Sequence, residues 1–230
     1  AYVTARATDF NIQENDAPKD GVITGYRVIN GKLVYVSSQD ATVLGGAIGE
    51  MHAKKIAKIY DMAMKVGAPV VGLIDCAGLR LQEATDAMNA FGELYLKQTL
   101  ASGVIPQITA IFGTCGGGAA LIPTLTDFTF MTTEGSKLFV NSPNALDGNN
   151  SSKLDTASAD YLSNNTSLVD SVCDDDMAVL SEIRTLIDML PSNNEVEDLA
   201  ECADDLNRII PNLDGFAKNG RAVLQNIADN

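Results

Sequence analysis

Two glycine-rich turns follow apolar runs in this sequence, and their backbone amides are suited to stabilising an oxyanion. The first is GLIDCAGLR, residues 72–80, and the second is AIFGTCGGG, residues 110–118. Glycine lets a backbone N–H approach a ligand because it carries no Cβ. Turns at the carboxyl ends of neighbouring strands would aim these N–H groups at one oxygen. For either turn alone, close packing of a helix against a strand is the more ordinary explanation.

Few side chains in this sequence are suited to acid–base or nucleophilic chemistry. The single histidine, His52, stands in a helical pattern, where a packing role is more common than a role as a base. Cys115 would need a neighbouring base to act as a nucleophile, and we interpret it as a small thiol that fills the turn. For Glu83 and Asp86, a solvated loop or helix start is favoured over catalysis. An enzyme built on these turns would take its proton chemistry from its substrate or from a cofactor.

The chain before the second turn alternates between strand and helix patterns. Asn30-Gly31 lies between two β-prone runs and predicts a hairpin. Apolar residues recur at steps of three or four over residues 47–66, which predicts a helix with one buried stripe. Two continuous apolar runs, typical of strands covered on both faces, flank a second helical pattern. The runs are residues 69–75 and 105–113, and the helical pattern is residues 87–103.

Shorter elements follow the second turn. We predict a short helix directly after the glycines, strands at 128–132, 137–141 and 168–175, and a helix at 177–190. From Pro191 onward the chain is acidic and only weakly periodic, which indicates a linker or tail. Strands that alternate with helices predict an α/β architecture.

Composition narrows the class of protein. The net charge of the 230 residues is −14, and it is uneven: residues 1–150 hold 14 acids and 11 bases, whereas residues 151–230 hold 16 acids and 5 bases. This balance argues against nucleic acid or an anionic membrane as a partner. The four cysteines form no CxxC pair, and we find no 18-residue apolar run and no signal-peptide pattern. We therefore expect no transmembrane span, no metal site and a cytoplasmic location.

Four blocks of sequence, in their order and spacing, resemble the N-terminal half of the biotin-dependent acyl-CoA carboxyltransferases. This family includes the β subunits of acyl-CoA carboxylases and the α subunits of methylmalonyl-CoA-type decarboxylases. The resemblance is continuous from about Gly21 to Asn144 and looser to about residue 190. The blocks are GKLVYVSSQDATVLGGAIGEMHAKKI at 31–56, KVGAPVVGLIDCAGLRLQE at 65–83, ASGVIPQITAIFGTCGGGAALIPTLTDFTFM at 101–131 and LFVNSPN at 138–144.

The resemblance implies a crotonase-type α/β fold, in which ββα units are wound as a spiral. It also implies a reaction in which the acyl-CoA thioester oxygen is held as an enolate while a carboxyl group moves between the α-carbon and biotin. Gly117 and Gly118 match the thioester-oxygen donors of the family, and Ala77 and Gly78 would supply the other donor. Ala77 replaces a glycine of the family pattern, and Leu79 replaces a small alanine beside the acyl pocket.

The resemblance further implies substrate contacts, partners and a domain division. Coenzyme A carries several negative charges, so cationic residues near the turns are candidates for its phosphates, although a solvated face explains the lysines equally well. Biotin would be carried on a separate carrier protein, and the second carboxyltransferase half would follow in the same gene or form a separate subunit of an oligomer. The predicted divisions are an arm at 1–20, the carboxyltransferase domain at 21–190 and a linker or tail at 191–230. The candidate contacts are Gly45, Gly46, Lys54, Lys55, Lys58, Arg80, Cys115 and Gly116.

Two other functions stay open at this point. A crotonase-type enoyl-CoA hydratase or isomerase would use the same fold, but hydratases place a Glu shortly after the triple glycine, and residues 116–126 contain no carboxylate. A non-catalytic CoA-binding assembly module is the second alternative, because the chain corresponds to only half of a site.

Overall fold

The computed structural model gives the chain as two compact units, residues 1–196 and 197–230, and each is described by itself. The predicted boundaries at residues 20 and 190 stay predictions, and most of the predicted arm and part of the predicted tail lie outside the described residues. The residues that the structure describes are 17–142, 155–196, 207, 209–210, 213–216 and 218–227.

One twisted sheet organises the first unit. Within the described residues it has seven strands, in the order β1-β2-β3-β4-β5-β7, with β6 paired to the far end of β4. Only β1 runs antiparallel to its neighbour, and the other pairs are parallel. The strands are β1 Val22–Ile29, β2 Lys32–Gln39, β3 Val70–Cys76, β4 Gln107–Gly116, β5 Phe128–Thr132, β6 Lys137–Phe139 and β7 Ser171–Cys173.

Helices connect the strands. Three of the connections begin as short 3₁₀ turns, at Leu44–Gly46, Leu81–Glu83 and Gly117–Ala120. The α-helices are α1 Glu50–Val66, α2 Ala84–Ala101, α3 Leu121–Thr124, α4 Ala159–Asn165 and α5 Asp176–Met189, followed in the second unit by α6 Gly220–Ile227.

Local sequence signals account for several of these boundaries. Asn30 and Gly31 both have positive φ, 48° and 84°, as the predicted two-residue hairpin turn requires. Helix α1 ends where Gly67 adopts the left-handed conformation, φ 63° and ψ 50°. The predicted hairpin, strands and long helices up to residue 190 are confirmed. Helix α4 and helix α6 were not predicted.

The two faces of the sheet are covered by different helices. Alternate residues of one strand enter different cores: Tyr35 packs with α1 and α2, whereas Val34 packs with α5. Val70 and Val71 divide in the same way. Because side chains alternate along a strand, α1 and α2 lie on one face and α5 on the other. The inner parallel strands are therefore covered on both faces, as continuous apolar strands predict.

A lysine in the hairpin ties the beginning of the fold to its last large helix. Lys32 Nζ donates hydrogen bonds to the carbonyl oxygens of Ile187, Asp188 and Leu190, at 3.1, 2.8 and 2.7 Å. These carbonyls stand at the end of α5, where they have no partner within the helix. The cation also complements the negative end of the helix dipole.

No helix among the described residues is long and apolar enough to cross a membrane.

Candidate functional site

The two glycine-rich turns lie next to each other at the carboxyl ends of β3 and β4. Cys76 and Cys115 are in-register partners in this parallel pair. A Cβ at Gly78 would lie 3.0 Å from Gly116 O, and one at Gly116 would lie 3.4 Å from Ala77 O. The adjacency that the sequence predicted is therefore present in the structure.

A bulge before the two turns sets their relative position. The register of β3 against β4 shifts between Ile74 and Cys76, which leaves Asp75 in the irregular position. Asp75 Oδ1 accepts a hydrogen bond from Thr114 N at 3.0 Å. A Cβ at Gly113 would lie only 2.2 Å from the same oxygen, so glycine makes room for the carboxylate. The carboxylate thus holds the end of β4 against the end of β3, a common use of bulges near functional sites.

The second turn has open space on the Cβ side of its first helical glycine. Gly117 has φ 61°, and no heavy atom lies within 4 Å of the position that its Cβ would take. A 3₁₀ helix, Gly117–Ala120, begins at this residue. A left-handed residue before a right-handed turn makes successive N–H groups converge, as in an anion-binding nest. The first N–H groups of a helix also have no acceptor within it.

The first turn differs, because its amides already have partners. Ala77 N donates to Gly45 O at 2.9 Å, and Gly78 N donates to its neighbour Cys76 Sγ at 3.3 Å. The expectation that Ala77 or Gly78 offers an unoccupied donor is therefore corrected. Gly78 is glycine for another reason: its φ is 118°, and the backbone of the second turn lies directly beside it. The sequence shows the turn but not the partner of each N–H.

Arg80 is not a phosphate contact. Its side chain is 0% exposed. The guanidinium pairs with Asp20 and with Glu83 Oε1, the latter at 2.8 Å, and donates to Ala47 O at 3.0 Å. A buried cation needs such partners, because desolvation of an unpaired charge is costly. Arg80 therefore anchors the first turn and does not reach solvent.

Glu83 completes this anchor. While Oε1 faces Arg80, Oε2 accepts a hydrogen bond from Glu50 N at 2.5 Å. Glu50 is the first residue of α1, so a carboxylate from the loop after β3 caps that helix. Both oxygens of Glu83 are engaged, which agrees with a structural role and not with acid–base catalysis.

His52 is a buried structural residue, as the sequence predicted in preference to a base. Its Nδ1 donates to Asp20 O at 2.8 Å, and its Nε2 accepts from Gln39 Nε2 at 3.1 Å, so the ring is neutral. Burial, together with the nearby charge of Arg80, lowers the pKa of His52 to about 3. The ring supports the same backbone segment as Arg80.

Cys115 and Gly116 lie beneath the second turn and do not line an opening. The Cys115 thiol is 0% exposed and donates to Ala119 O at 3.3 Å. Burial raises the pKa of Cys115, which disfavours the thiolate. Phe139 covers Gly116, since a Cβ there would lie 3.1 Å from its ring. Both substrate-contact expectations are corrected, whereas the interpretation of Cys115 as a turn-filling thiol agrees with the structure.

The adjacent glycines Gly45 and Gly46 have different surroundings. Gly46 is buried, and its Cβ would lie 1.9 Å from Asp75 O, so it is glycine because β3 passes against it. Gly45 is exposed, and its nearest neighbour would be the Ala77 Cβ at 3.4 Å. Gly45 thus lies beside the first turn and stays a candidate contact, but Gly46 packs inside the fold.

The three lysines of α1 also differ. Lys55 donates to Lys19 O at 2.5 Å and to Val22 O, so it fastens the start of β1. Lys54 is exposed but pairs with Glu50, and this contact, together with Glu93 and Asp86 on α2, raises its pKa. Lys58 is exposed, and within residues 17–142 and 155–196 it forms no ion pair. Lys58 is therefore the better candidate for an anionic ligand.

In the part of the chain that the structure describes, no group of three or more His, Cys, Asp or Glu side chains could hold a metal ion.

A parallel sheet covered by helices, with two glycine-rich turns at its carboxyl edge, defines an α/β domain. The chain belongs to the carboxyl transferase domain family, whose sequence model matches residues 1–230. It is 43% identical to the methylmalonyl-CoA decarboxylase α subunit of Propionigenium modestum, over 100% of this chain and 45% of that protein. It is 44% identical to the propionyl-CoA carboxylase β chain of Roseobacter denitrificans, over 93% and 42%.

A solved structure confirms the expected crotonase-like fold. The crystal structure of transcarboxylase 12S, a hexamer with methylmalonyl-coenzyme A and methylmalonic acid bound, is 31% identical with a TM-score of 0.74. The match covers 93% of this chain and 43% of that one. The chain spans less than half the length of these relatives, and it is their N-terminal half that it resembles.

Proposed function

We propose that this chain is the acyl-CoA half of a carboxyltransferase that moves a carboxyl group between biotin and the α-carbon of an acyl-CoA. Family membership and the methylmalonyl-CoA and propionyl-CoA named in its relatives support the substrate class. The observation that carries the proposal is the second turn, where left-handed Gly117 opens a helix beside unoccupied space.

In this proposal, Gly117 and Gly118 donate their N–H groups to the thioester oxygen. Removal of a proton or a carboxyl group from the α-carbon leaves an enolate, whose negative charge lies largely on that oxygen. Donors fixed before the reaction stabilise this charge, and each is worth about 3 kcal/mol of transition-state energy. The first turn contributes rigidity, because its own amides are occupied, and Gly45 and Ala77 form the exposed wall beside the site.

Biotin on a carrier protein would accept or deliver the carboxyl group. Ala77 and Gly118 are both exposed, so one side of the paired turns is open to a partner surface. The second carboxyltransferase half would cover this side and bring biotin to it. We place the phosphates of coenzyme A near Lys58, since Lys54 faces carboxylates and Arg80 is buried. A homo- or hetero-oligomer, as in the transcarboxylase hexamer, is part of this proposal.

The decisive experiment restores the second half and measures transfer of labelled carboxyl between carboxybiotin and propionyl-CoA or methylmalonyl-CoA. We expect transfer by the complete assembly and none by this chain alone. Hydration of crotonyl-CoA by the isolated chain would instead indicate a hydratase. The structure offers little for that reaction, because the nearby Glu83 is bound on both oxygens. No transfer with any acyl-CoA would favour an assembly module.

A further inference from the structure

A tyrosine of α2, which no sequence pattern singled out, contacts the second turn from a neighbouring helix. Tyr95 Oη donates a hydrogen bond to Gly118 O at 2.6 Å. The same carbonyl accepts from Leu121 N at the end of the 3₁₀ helix. Gly118 O is therefore fixed from two directions, one within the turn and one from a neighbouring helix.

The tyrosine is itself held in place. Its ring packs against Phe91, one helical turn earlier on α2, with ring centres 5.7 Å apart and planes tilted by 46°. Both rings also press on the glycine: a Cβ at Gly118 would lie 3.2 Å from Tyr95 Oη and 3.4 Å from Phe91 Cε1. Burial raises the pKa of Tyr95 to about 12, so the hydroxyl keeps its proton near neutral pH.

We infer that Tyr95 is a positioning residue that sets the direction of the amide donors at Gly117 and Gly118. Glycine has no side chain to restrict its dihedral angles, so a turn of three glycines is the part of the backbone most free to rotate. The peptide unit is planar, and a bond to Gly118 O therefore fixes the plane that follows Gly118 and limits rotation about that residue. Tyr95 acts through this carbonyl and does not touch the reacting atoms. The inference rests on the proposed function.

The test compares two tyrosine variants in the complete assembly with its second half. Tyr95→Phe keeps the ring on Phe91 and removes only the hydroxyl. Tyr60→Phe is the matched control, because the Tyr60 hydroxyl is buried and contacts Gln98 Nε2 at 3.4 Å, away from the turn. We expect Tyr95→Phe to lower kcat about 3- to 10-fold with the acyl-CoA KM unchanged within about twofold, because the hydrogen bond that orients the turn is lost. Tyr60→Phe should keep the wild-type kcat.

Amide hydrogen exchange gives a readout independent of activity. The peptide covering residues 112–121 should exchange several times faster in Tyr95→Phe and at the wild-type rate in Tyr60→Phe. An unchanged kcat or unchanged exchange in Tyr95→Phe would overturn the inference, as would equal losses of kcat in both variants. A wild-type assembly that transfers no carboxyl group would instead overturn the proposed function.

Discussion

The two turns look alike in sequence, yet the structure gives them different surroundings. In the first turn, Gly78 is glycine because backbone lies against it, and its amide and that of Ala77 are occupied. In the second turn, Gly117 also has a positive φ, 61°, but no heavy atom lies within 4 Å of the position that its Cβ would take. A glycine that packing demands differs from one whose Cβ position is open. In the proposed function, the first turn is the rigid wall and the second turn supplies the donors.

The largest expected effect is a loss of protein stability when the anchor of the first turn is removed. Arg80→Met should lower the free energy of unfolding by about 3–5 kcal/mol, because the buried charge of Asp20 would lose its cation and Glu83 would lose its ion pair. Urea unfolding measures this loss. Lys97→Met is the control: it breaks the half-exposed pair with Asp61 and should cost less than about 1 kcal/mol. Equal costs would mean that Arg80 is no anchor.

At the second turn the corresponding effect should be on activity. Gly117→Val should lower kcat at least about 100-fold, because the added side chain covers the N–H at the thioester oxygen. Gly103→Val is matched to it, since Gly103 has φ 73° and also no neighbour within 4 Å. Both variants should lose a similar amount of stability, about 1–2 kcal/mol of backbone strain.

Carboxyl transfer by both variants in the complete assembly separates strain from a blocked site. If Gly117→Val retained wild-type transfer, its amide would not be a donor, and the contrast between the turns would lose its functional meaning.

A smaller difference in stability is expected between alanine substitutions at two neighbouring glycines. Gly45 and Gly46 have φ 66° and 67°, so replacement by alanine strains both alike. Only at Gly46 does the new Cβ meet a backbone oxygen, at 1.9 Å. Gly46→Ala should therefore be less stable than Gly45→Ala by about 1–3 kcal/mol in thermal or urea unfolding. Equal stabilities would show that β3 can yield at this point, and that packing does not fix the first turn.

The smallest expected effect is a pH dependence of stability that arises from His52, which contacts the same backbone segment as Arg80. The pKa of His52 is lowered from its ordinary 6.5 to about 3, so the unfolded chain binds this proton first as pH falls. Stability from this residue is complete above about pH 6.5 and is lost progressively toward pH 3. Between pH 7 and pH 5 the loss should be about 2 kcal/mol.

His52→Gln retains an amide that can donate to Asp20 O and an oxygen that can accept, but it does not titrate. Urea unfolding at pH 7, 6 and 5 should therefore show a flatter profile for the variant. Parallel profiles would place the acid sensitivity elsewhere.

Elements with local signals could be predicted from the sequence. The hairpin follows from Asn30-Gly31, and the covered strands follow from their continuous apolar runs, because both signals lie within the residues concerned. The adjacency of the two turns could also be predicted, because the carboxyl ends of parallel strands lie at the same edge of a sheet. Helix α4 was missed because its signal is short: Ser158 caps it through Tyr161 N, and only seven residues form it.

The partners of polar groups could not be predicted, because they come from distant parts of the chain. Arg80 next to a functional turn favoured a phosphate contact, but Asp20, 60 residues earlier, pairs with it. The Ala77 amide is taken by Gly45 O, and Tyr95 reaches Gly118 from another helix. Sequence periodicity places a residue on a helix face, but it does not identify the residues that pack against that face.

The contact of Lys32 with the end of α5 has a practical consequence for anyone who shortens this protein. The three acceptors lie about 155 residues from the lysine, so the hairpin is fastened only after almost the whole first unit has been synthesised. A version truncated before residue 187 would leave the ammonium group without these acceptors and would remove Ile187 from the core on that side of the sheet. Expression trials should therefore keep every residue through Val196, where the first compact unit ends.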